Sequence, residues 1–451
     1  MTRYTKQKLG DICRIEKGRT GIASAVPGEY PLVVTAEERK TCGEYQFDCE
    51  AVCIPLVSSS GHGKKSLKNV HYQSGKFALG SILCAVIPNN PQKVNARYLH
   101  QYLQFYKDTV LVPLMKGAAN VSLSIRDIAN VEIPLPDFKT QVALTKIFVQ
   151  TQEKQKELNA EFEKQTEYAK QLRQSILQEA IEGKLTTEWR KNHPAEKGNP
   201  DFDAQALFEQ IQKEKEGNAF PCGRTSLRPT PSAGSNAARN ARSKNLPEIT
   251  DPDQPFEIPD GWKYILPENI GIFASGKTPD KEDLIQDGIP YFKISDMNTC
   301  GNELYLLHTD TFISSDTKIK CFPKNSIVFP KNGGAVFTNK KRILKSESLV
   351  DLNTGVFIPS NWMNPKFAFW LFYTIDFNNY WKGTTLPTVD MNLVRKIIWK
   401  LPPLAEQKEI VAKVESLLAK VTGLENQIQE RKKLSVQLMQ TVLKNAFLPQ
   451  K

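Results

Sequence analysis

The sequence predicts an α+β protein made of two similar mixed globules, each followed by one long polar helix. Three observations carry this. At 451 residues the chain exceeds what a single hydrophobic core supports. A module recurs 266 positions downstream: Lys116-Gly117 returns as Lys382-Gly383, Leu135-Pro136 as Leu401-Pro402 and Gln141 as Gln407. The same offset pairs Leu158 with Leu424, Gln171-Leu172 with Gln437-Leu438, Leu177 with Leu443 and Ala180 with Ala446, with no gap from Lys116 to Glu182. Finally, each copy passes from short apolar runs through a Pro-punctuated strand (Val131-Glu-Ile-Pro-Leu-Pro136; Ile397-Ile-Trp-Lys-Leu-Pro402) into helical periodicity. Two like modules on one chain imply a quasi-symmetric object that reads or holds two similar things.

In the first globule, residues 1–136, the runs Tyr30-Pro-Leu-Val-Val34, Ala51-Val-Cys-Ile-Pro-Leu-Val57 and Ser81-Ile-Leu-Cys-Ala-Val-Ile87 read as strands, and residues 95–105 as a helix. Residues 137–185 form the first helical region, where Leu158, Phe162, Gln165, Ala169, Leu172 and Ile176 alternate steps of four and three. Residues 186–255 read as a linker. Within it 202–216 reads as a short amphipathic helix, and 217–247 contains no Asp or Glu, five basic residues and much Pro, Ser, Gly, Ala and Asn, the composition of a solvated tether. The second globule, 256–402, repeats the scheme with strands Pro290-Tyr-Phe-Lys-Ile294, Ser326-Ile-Val-Phe329 and Gly355-Val-Phe-Ile358 and a helix at 366–373. The second helical region, 403–448, carries Leu417, Val421, Leu424, Ile428, Arg431, Ser435, Leu438 and Val442 in the same rhythm. These are a/d seams with polar breaks, so the helices tend to pair as a coiled coil. A 40-residue helix spans about 60 Å, long enough to hold two globules a fixed distance apart.

The chain carries 60 Lys and Arg against 49 Asp and Glu, a net charge of +11 and a pI near 9.0, which favours an anionic partner and nucleic acid first. No apolar run approaches the ~20 residues of a membrane helix, and Met-Thr-Arg-Tyr-Thr-Lys-Gln-Lys lacks an apolar signal core. A cytoplasmic location is expected. Cys42, Cys49 and Cys53 cluster, with His62 and His71 as the nearest supplements, but no second ligand couple stands at zinc spacing. Reduced thiols and no metal are expected.

Gly271-Ile-Phe-Ala-Ser-Gly276-Lys277-Thr278 satisfies the phosphate-loop expression GxxxxGK[ST]. A phosphate loop follows a buried strand and opens a helix whose amides cradle phosphate. Here Pro267 interrupts the preceding run, and Pro279-Asp-Lys-Glu-Asp283 offers no apolar helical face. The stretch aligns instead with Ile12-Cys-Arg-Ile-Glu-Lys-Gly-Arg-Thr20, so it reads as a repeat element. No dinucleotide fingerprint, Asn/Asp-Pro-Pro-aromatic motif, His-Glu-x-x-His pair or Gly-x-Ser-x-Gly elbow occurs, and there are only five histidines. The chain reads as a binder, not an enzyme.

The candidate contacts lie on loops. Ser58, Ser59, His62, Lys64 and Lys65 share a Gly-flexible loop in the first globule. Lys331 and Asn332 with Lys340, Lys341 and Arg342 form its counterpart in the second. Asn and Arg or Lys pair with adenine and guanine edges, while Ser, Thr and Gly amides hold phosphates. Solvated turns have the same composition.

The residues that carry a family resemblance are Met115-Lys-Gly-Ala-Ala-Asn-Val-Ser-Leu-Ser124, Val131–Pro136, Leu172-Arg-Gln-Ser-Ile-Leu-Gln-Glu-Ala180 and Glu182-Gly-Lys-Leu185. In the second half they are Pro259-Asp-Gly-Trp262, Gly276-Lys-Thr-Pro279, Phe292-Lys-Ile-Ser-Asp-Met297 and Leu401-Pro-Pro-Leu-Ala-Glu-Gln407. In this order the chain resembles, over essentially its whole length, the specificity subunit of type I restriction–modification systems. The resemblance implies two target-recognition domains, each reading half of a split double-stranded DNA site, and two helices (seam Leu158, Phe162, Leu172, Ile176; Leu424, Ile428, Leu438, Val442) pairing antiparallel. It also implies docking of two DNA methyltransferase subunits, to which restriction–translocase subunits bind. S-adenosylmethionine, ATP and magnesium then belong to those partners, and no cofactor is expected here. Lys116, Lys277 and Lys293, on the stretches just quoted, join the candidate DNA contacts. A non-enzymatic DNA- or RNA-binding scaffold outside restriction is the alternative. One departure is Asp137-Phe-Lys-Thr-Gln141, where the family favours the pattern of Leu404-Ala-Glu-Gln407.

Overall fold

The computed structural model describes residues 4–60, 63–217, 257–316 and 319–447. The chain forms two compact units: Met1–Thr166 with Gln427–Lys451, and Glu167–Asn426. The α+β expectation holds, as do the two long helices, Phe138–Ile181 and Leu404–Phe447.

In the first unit the strands Cys13–Lys17, Leu83–Pro88, Ala51–Pro55 and His71–Gln73 form an antiparallel sheet in that order. Ala51–Pro55 is buried along its whole length. Val52 and Ile54 enter one core with Val86 and Leu99, while Ala51 and Cys53 enter another with Phe47 and Phe77. Side chains alternate across a strand, so a strand buried on both faces must be apolar throughout. That is why the run was legible. A second sheet orders Lys40–Cys42, Tyr30–Val33, Lys76–Leu79 and Phe47–Asp48. Thr5–Lys8 pairs with Glu132–Leu135, the strand that leads into the first long helix.

The second unit repeats this plan. Gly271–Ser275, Thr354–Pro359, Ile327–Pro330, Arg342–Leu344 and Tyr305–Leu306 form one sheet. Leu284–Ile285, Phe312–Ile313, Ile289–Phe292 and Leu349–Val350 form the other, and Lys263–Ile265 pairs with Trp399–Leu401.

The repeated Gln explains itself structurally. Gln141 is fully buried; its amide donates to the Pro136 and Lys93 carbonyls at 2.8 and 2.9 Å and accepts from the Asn95 N–H at 2.8 Å. Gln407 donates to the Pro402 carbonyl at 3.0 Å and accepts from the Asn364 N–H at 2.9 Å. Asn95 and Asn364 in turn cap the helices Ala96–Val110 and Pro365–Tyr373. One side chain thus locks the start of each long helix to the neighbouring helix of its unit.

The antiparallel pairing is visible within each unit. In the first, Phe148 meets Phe447, Ser435 donates to Gln155 at 3.0 Å, and Arg431 lies over the Phe162 ring. In the second, Arg173 donates to Glu425 at 2.7 and 3.0 Å and to Thr422 at 2.7 Å, beside a core of Ala169, Ile176, Val414, Leu418 and Val421. Phe162, Ile176 and Ile428 are buried as expected and Leu158 is half-buried. Leu172, Leu424, Leu438 and Val442 are corrections: they are 43%, 48%, 65% and 39% exposed. The packed face runs one residue away from them, through Arg173, Glu425, Met439 and Leu443. At Leu172 and Leu424 periodicity selects the apolar residue, while an ion pair, Arg173 with Glu425, fills the inward position. At Leu438 and Val442 the neighbours Met439 and Leu443 are apolar too, so the pattern does not choose between them.

The amphipathic helix expected at 202–216 is present as Ala204–Glu216. The linker reading did not anticipate the helix Thr187–Asn192, nor that Ala204, Leu207 and Ile211 lie in the second unit's core. The tether at 217–247 lies outside the described residues, apart from Gly217.

Candidate nucleic-acid interface

Each unit builds the same loop-and-turn construction. In the first, the strand Ala51–Pro55 runs into Val57, bridged to Ser122, and the Ser58 N–H donates to the Val121 carbonyl at 3.0 Å. Lys116 and Ser122 exchange two backbone bonds of 2.8 Å that close the Lys116-Gly117 turn. In the second, Ile327–Pro330 runs into Asn332, bridged to Thr388, and the Gly333 N–H donates to the Pro387 carbonyl at 2.8 Å. Trp381–Lys382 pairs with Thr388–Val389 around the Lys382-Gly383 turn. Gly117 and Gly383 have φ of 122° and 95°, and a Cβ would meet the Asn120 and Leu386 carbonyl oxygens at 2.3 and 2.6 Å. Only glycine closes this turn. The repeated Lys-Gly is therefore the fastening of the loop.

On the first loop the serine hydroxyls are turned inward. Ser58 Oγ donates to the Lys64 carbonyl and accepts from the Ser66 N–H at 3.2 Å; Ser59 Oγ accepts from the Lys68 N–H at 2.9 Å. They shape the loop and leave Lys64 and Lys65 exposed. His62 lies outside the described residues. Lys116 is exposed and its ammonium lies 3.3 Å from Asp127. The Asp127 carboxyl is held below its ordinary range, first by the Ser124 hydroxyl and then by Lys116.

On the second loop Lys331 donates to the Ser275 hydroxyl at 2.9 Å, and burial pulls its pKa down against the opposing pull of Asp351. Asn332 reaches the Asn353 side chain at 3.4 Å, and Lys340 donates to that of Asn298. Lys277 is exposed; Lys293 is exposed beside Thr311 and the Tyr291 ring. Lys341 and Arg342 are not on the surface. Lys341 is fully buried, donates to the Ile375 carbonyl at 2.6 Å and the Asn339 side chain at 2.7 Å, and lies 4.4 Å from the Phe377 ring centre. Burial lowers its pKa to about 7. Arg342, 9% exposed, donates to the Lys341 and Met297 carbonyls. Both hold the loop's base from beneath. Their long aliphatic stems let them lie in a core, which a basic triplet in sequence does not reveal.

The phosphate-loop resemblance is a repeat element, as expected. Gly276 ends the strand Gly271–Ser275, and no α-helix follows; the next element is the 3-10 turn Lys281–Asp283. A Cβ on Gly276 would lie 2.0 Å from the Asp351 carbonyl oxygen, and one on Gly18 2.2 Å from that of Gly80. The two glycines are equivalent positions of close backbone approach.

Sequence reading missed the Glu406 network. Its buried carboxylate accepts from the Trp262 indole at 2.7 Å, the Thr186 hydroxyl at 2.6 Å and Arg190. Gly183, at φ 75°, packs against Arg190 and Trp262. Three stretches quoted above, Glu182–Leu185, Pro259–Trp262 and Leu404–Gln407, thus converge at one spot. The first copy has Thr140 at the position of Glu406, where it hydrogen-bonds Asp137 instead. Among the described residues no group of three or more His, Cys, Asp or Glu is placed to hold a metal, and no helix is long and apolar enough to cross a membrane.

Residues 1–168 and 259–432 match the type I restriction modification DNA specificity domain, Methylase_S. The chain belongs to this family, a specificity subunit of type I restriction–modification systems with DNA-recognition domains. It is 23% identical over 461 residues to the EcoDI type I restriction enzyme specificity subunit of Escherichia coli, covering 98% of this chain and 87% of that protein. With the E. coli EcoAI specificity subunit it shares 22% over 276 residues, 59% of this chain and 43% of that protein. Among solved structures, a chain from work on complex assembly and conformational transition of the type I R-M system superposes with TM-score 0.62 at 13% identity, covering 99% of this chain and 98% of that one. The HsdS subunit from Thermoanaerobacter tengcongensis gives TM-score 0.55 at 13% identity, with 99% and 97% covered. At such identities these two establish the fold. A scaffold outside restriction is not favoured.

Proposed function

We propose that this subunit reads a bipartite double-stranded DNA site, one half per recognition domain, and carries two methyltransferase subunits to which restriction–translocase subunits bind. The observation that carries this reading is the loop-and-turn construction, built twice on the same fastening but with different side chains. Lys64, Lys65, Lys116, Lys277, Lys293, Lys331 and Lys340 supply phosphate contacts, His62 is a further contact of the first domain, and Asn332 takes a base edge. Ser58 and Ser59 shape their loop. Transfer and cleavage chemistry belong to the partners, with their cofactors, and the complex works in the cytoplasm.

The exposed residues Leu434, Leu438 and Val442, spaced by four along the second helix, fit a docking strip for a methyltransferase subunit. The EcoDI relative is a subunit of a type I restriction enzyme, which supports partners of that class. Co-expression with methyltransferase subunits, followed by single-molecule methylome sequencing, tests the whole reading. The expected product is adenine or cytosine methylation in a split motif; a continuous motif, or none, contradicts it.

A further inference from the structure

Two aromatic rings of the second unit stand in solvent on its loop-and-turn construction. Phe337 follows Gly333-Gly334 on the loop, and Trp381 opens the Lys382-Gly383 turn. Each is 43% exposed, and the rings meet edge to face with centroids 5.2 Å apart at 86°. Leu386, 56% exposed, lies on the same turn. A lone exposed ring needs no explanation, but an apolar patch with a polar rim marks a contact surface.

The first unit shows that the turn does not need these rings. By the 266-residue offset Trp381 corresponds to Met115, which is fully buried, and Leu386 to Asn120, an exposed amide. The rim selects the occupant. Lys331, Asn332 and Lys340 lie on the same loop as Phe337, and Lys382 follows Trp381, its ammonium 3.2 Å from Asp390. A surface of rings among ammoniums suits a polyanion with an apolar component, and it is continuous with the interface proposed above.

We propose that Phe337 and Trp381 are DNA contacts that set specificity in the second half-site, packing on apolar groove atoms, a thymine methyl or a deoxyribose face. This rests on the bipartite reading. The first domain has no such pair at the equivalent turn, so the effect is confined to one half-site.

The test uses the full chain with its methyltransferase partners. Phe337→Ala with Trp381→Ala should relax the methylated motif at one or two positions of the second half-site, leave the first half-site unchanged, and weaken binding of a site duplex roughly tenfold or more. Trp381→Phe should restore most of this. Deoxyuridine in place of thymidine separates the two apolar sources: a loss seen in the parent and absent from Trp381→Ala assigns the methyl, and a loss present in neither assigns the sugar. Unchanged motif and affinity in the double variant overturns the proposal. Photocrosslinking of the unsubstituted chain to bromodeoxyuridine duplexes is independent of variant folding; crosslinks that never fall within residues 331–340 or 381–389 overturn it too. A parent complex with no split motif removes the bipartite reading itself, and this proposal with it, a result distinct from a split motif indifferent to the rings.

Discussion

Lys340 and Lys341 are neighbours, yet one holds a surface amide and the other is sealed beneath the loop. Sequence gives the charge of such residues but not their direction, because a lysine stem is as apolar as a leucine over most of its length. On the first loop, Lys64→Ala should lower the slope of log K against log salt by about one. Asn332→Ala should cost about 1–3 kcal/mol of discrimination at one base pair. If both left affinity and slope unchanged in filter-binding titrations, these loops would face away from DNA. His71 provides a pH signature for the first domain. It is 5% exposed and accepts from Arg39 at 3.2 Å; burial first, then Arg39 and His100, lower its pKa from 6.5 to about 4. Its folded pKa is depressed, so between about 6.5 and 4 the unfolded chain binds the extra proton. Stability is then full above that window and falls through it on acidification, by up to about 3 kcal/mol. His71→Gln should flatten this part of the unfolding profile; an unaltered slope would place the acid sensitivity elsewhere.

At the scale of elements, strands buried on both faces were legible as unbroken apolar runs, and the two long helices as sustained steps of three and four uninterrupted by Pro. The seam register was not, because Arg173 and Glu425 occupy inward positions that an apolar pattern skips. Both are about one-third exposed, so Arg173→Ala should destabilise by only about 1 kcal/mol. Gln407→Ala removes a buried amide that joins helix start to helix cap and should cost more, about 2–3 kcal/mol, read by urea unfolding. Leu438 lies on the outer face, 65% exposed. Leu438→Asp should therefore change stability by no more than about 0.5 kcal/mol while reducing methyltransferase capture in co-purification. Loss of the folded helix pair, with capture intact in what remains folded, would return Leu438 to the seam.

For the whole molecule, the internal repeat was the legible feature, and the structure gives its physical content: a glycine turn, a glutamine lock and a helix, made twice. What the repeat did not disclose is Glu406, whose network exists in one copy only, and the helix Thr187–Asn192, too short to stand out from a polar stretch, whereas the amphipathic pattern at 202–216 did mark the helix Ala204–Glu216. If the paired helices set the spacing of the half-sites, four residues inserted after Glu430 advance the helix by about 6 Å. They should lengthen the methylated spacer by about one or two base pairs at ~3.4 Å each. Methylation at the original spacing would show that the helices do not set it. The most direct test of the central claim, one half-site per recognition domain, is to replace residues 9–136 with the first domain of another family member and sequence the methylome. The expected motif changes in one half-site and keeps the other half-site and the spacer. A change in both halves, or a single continuous motif, would contradict it.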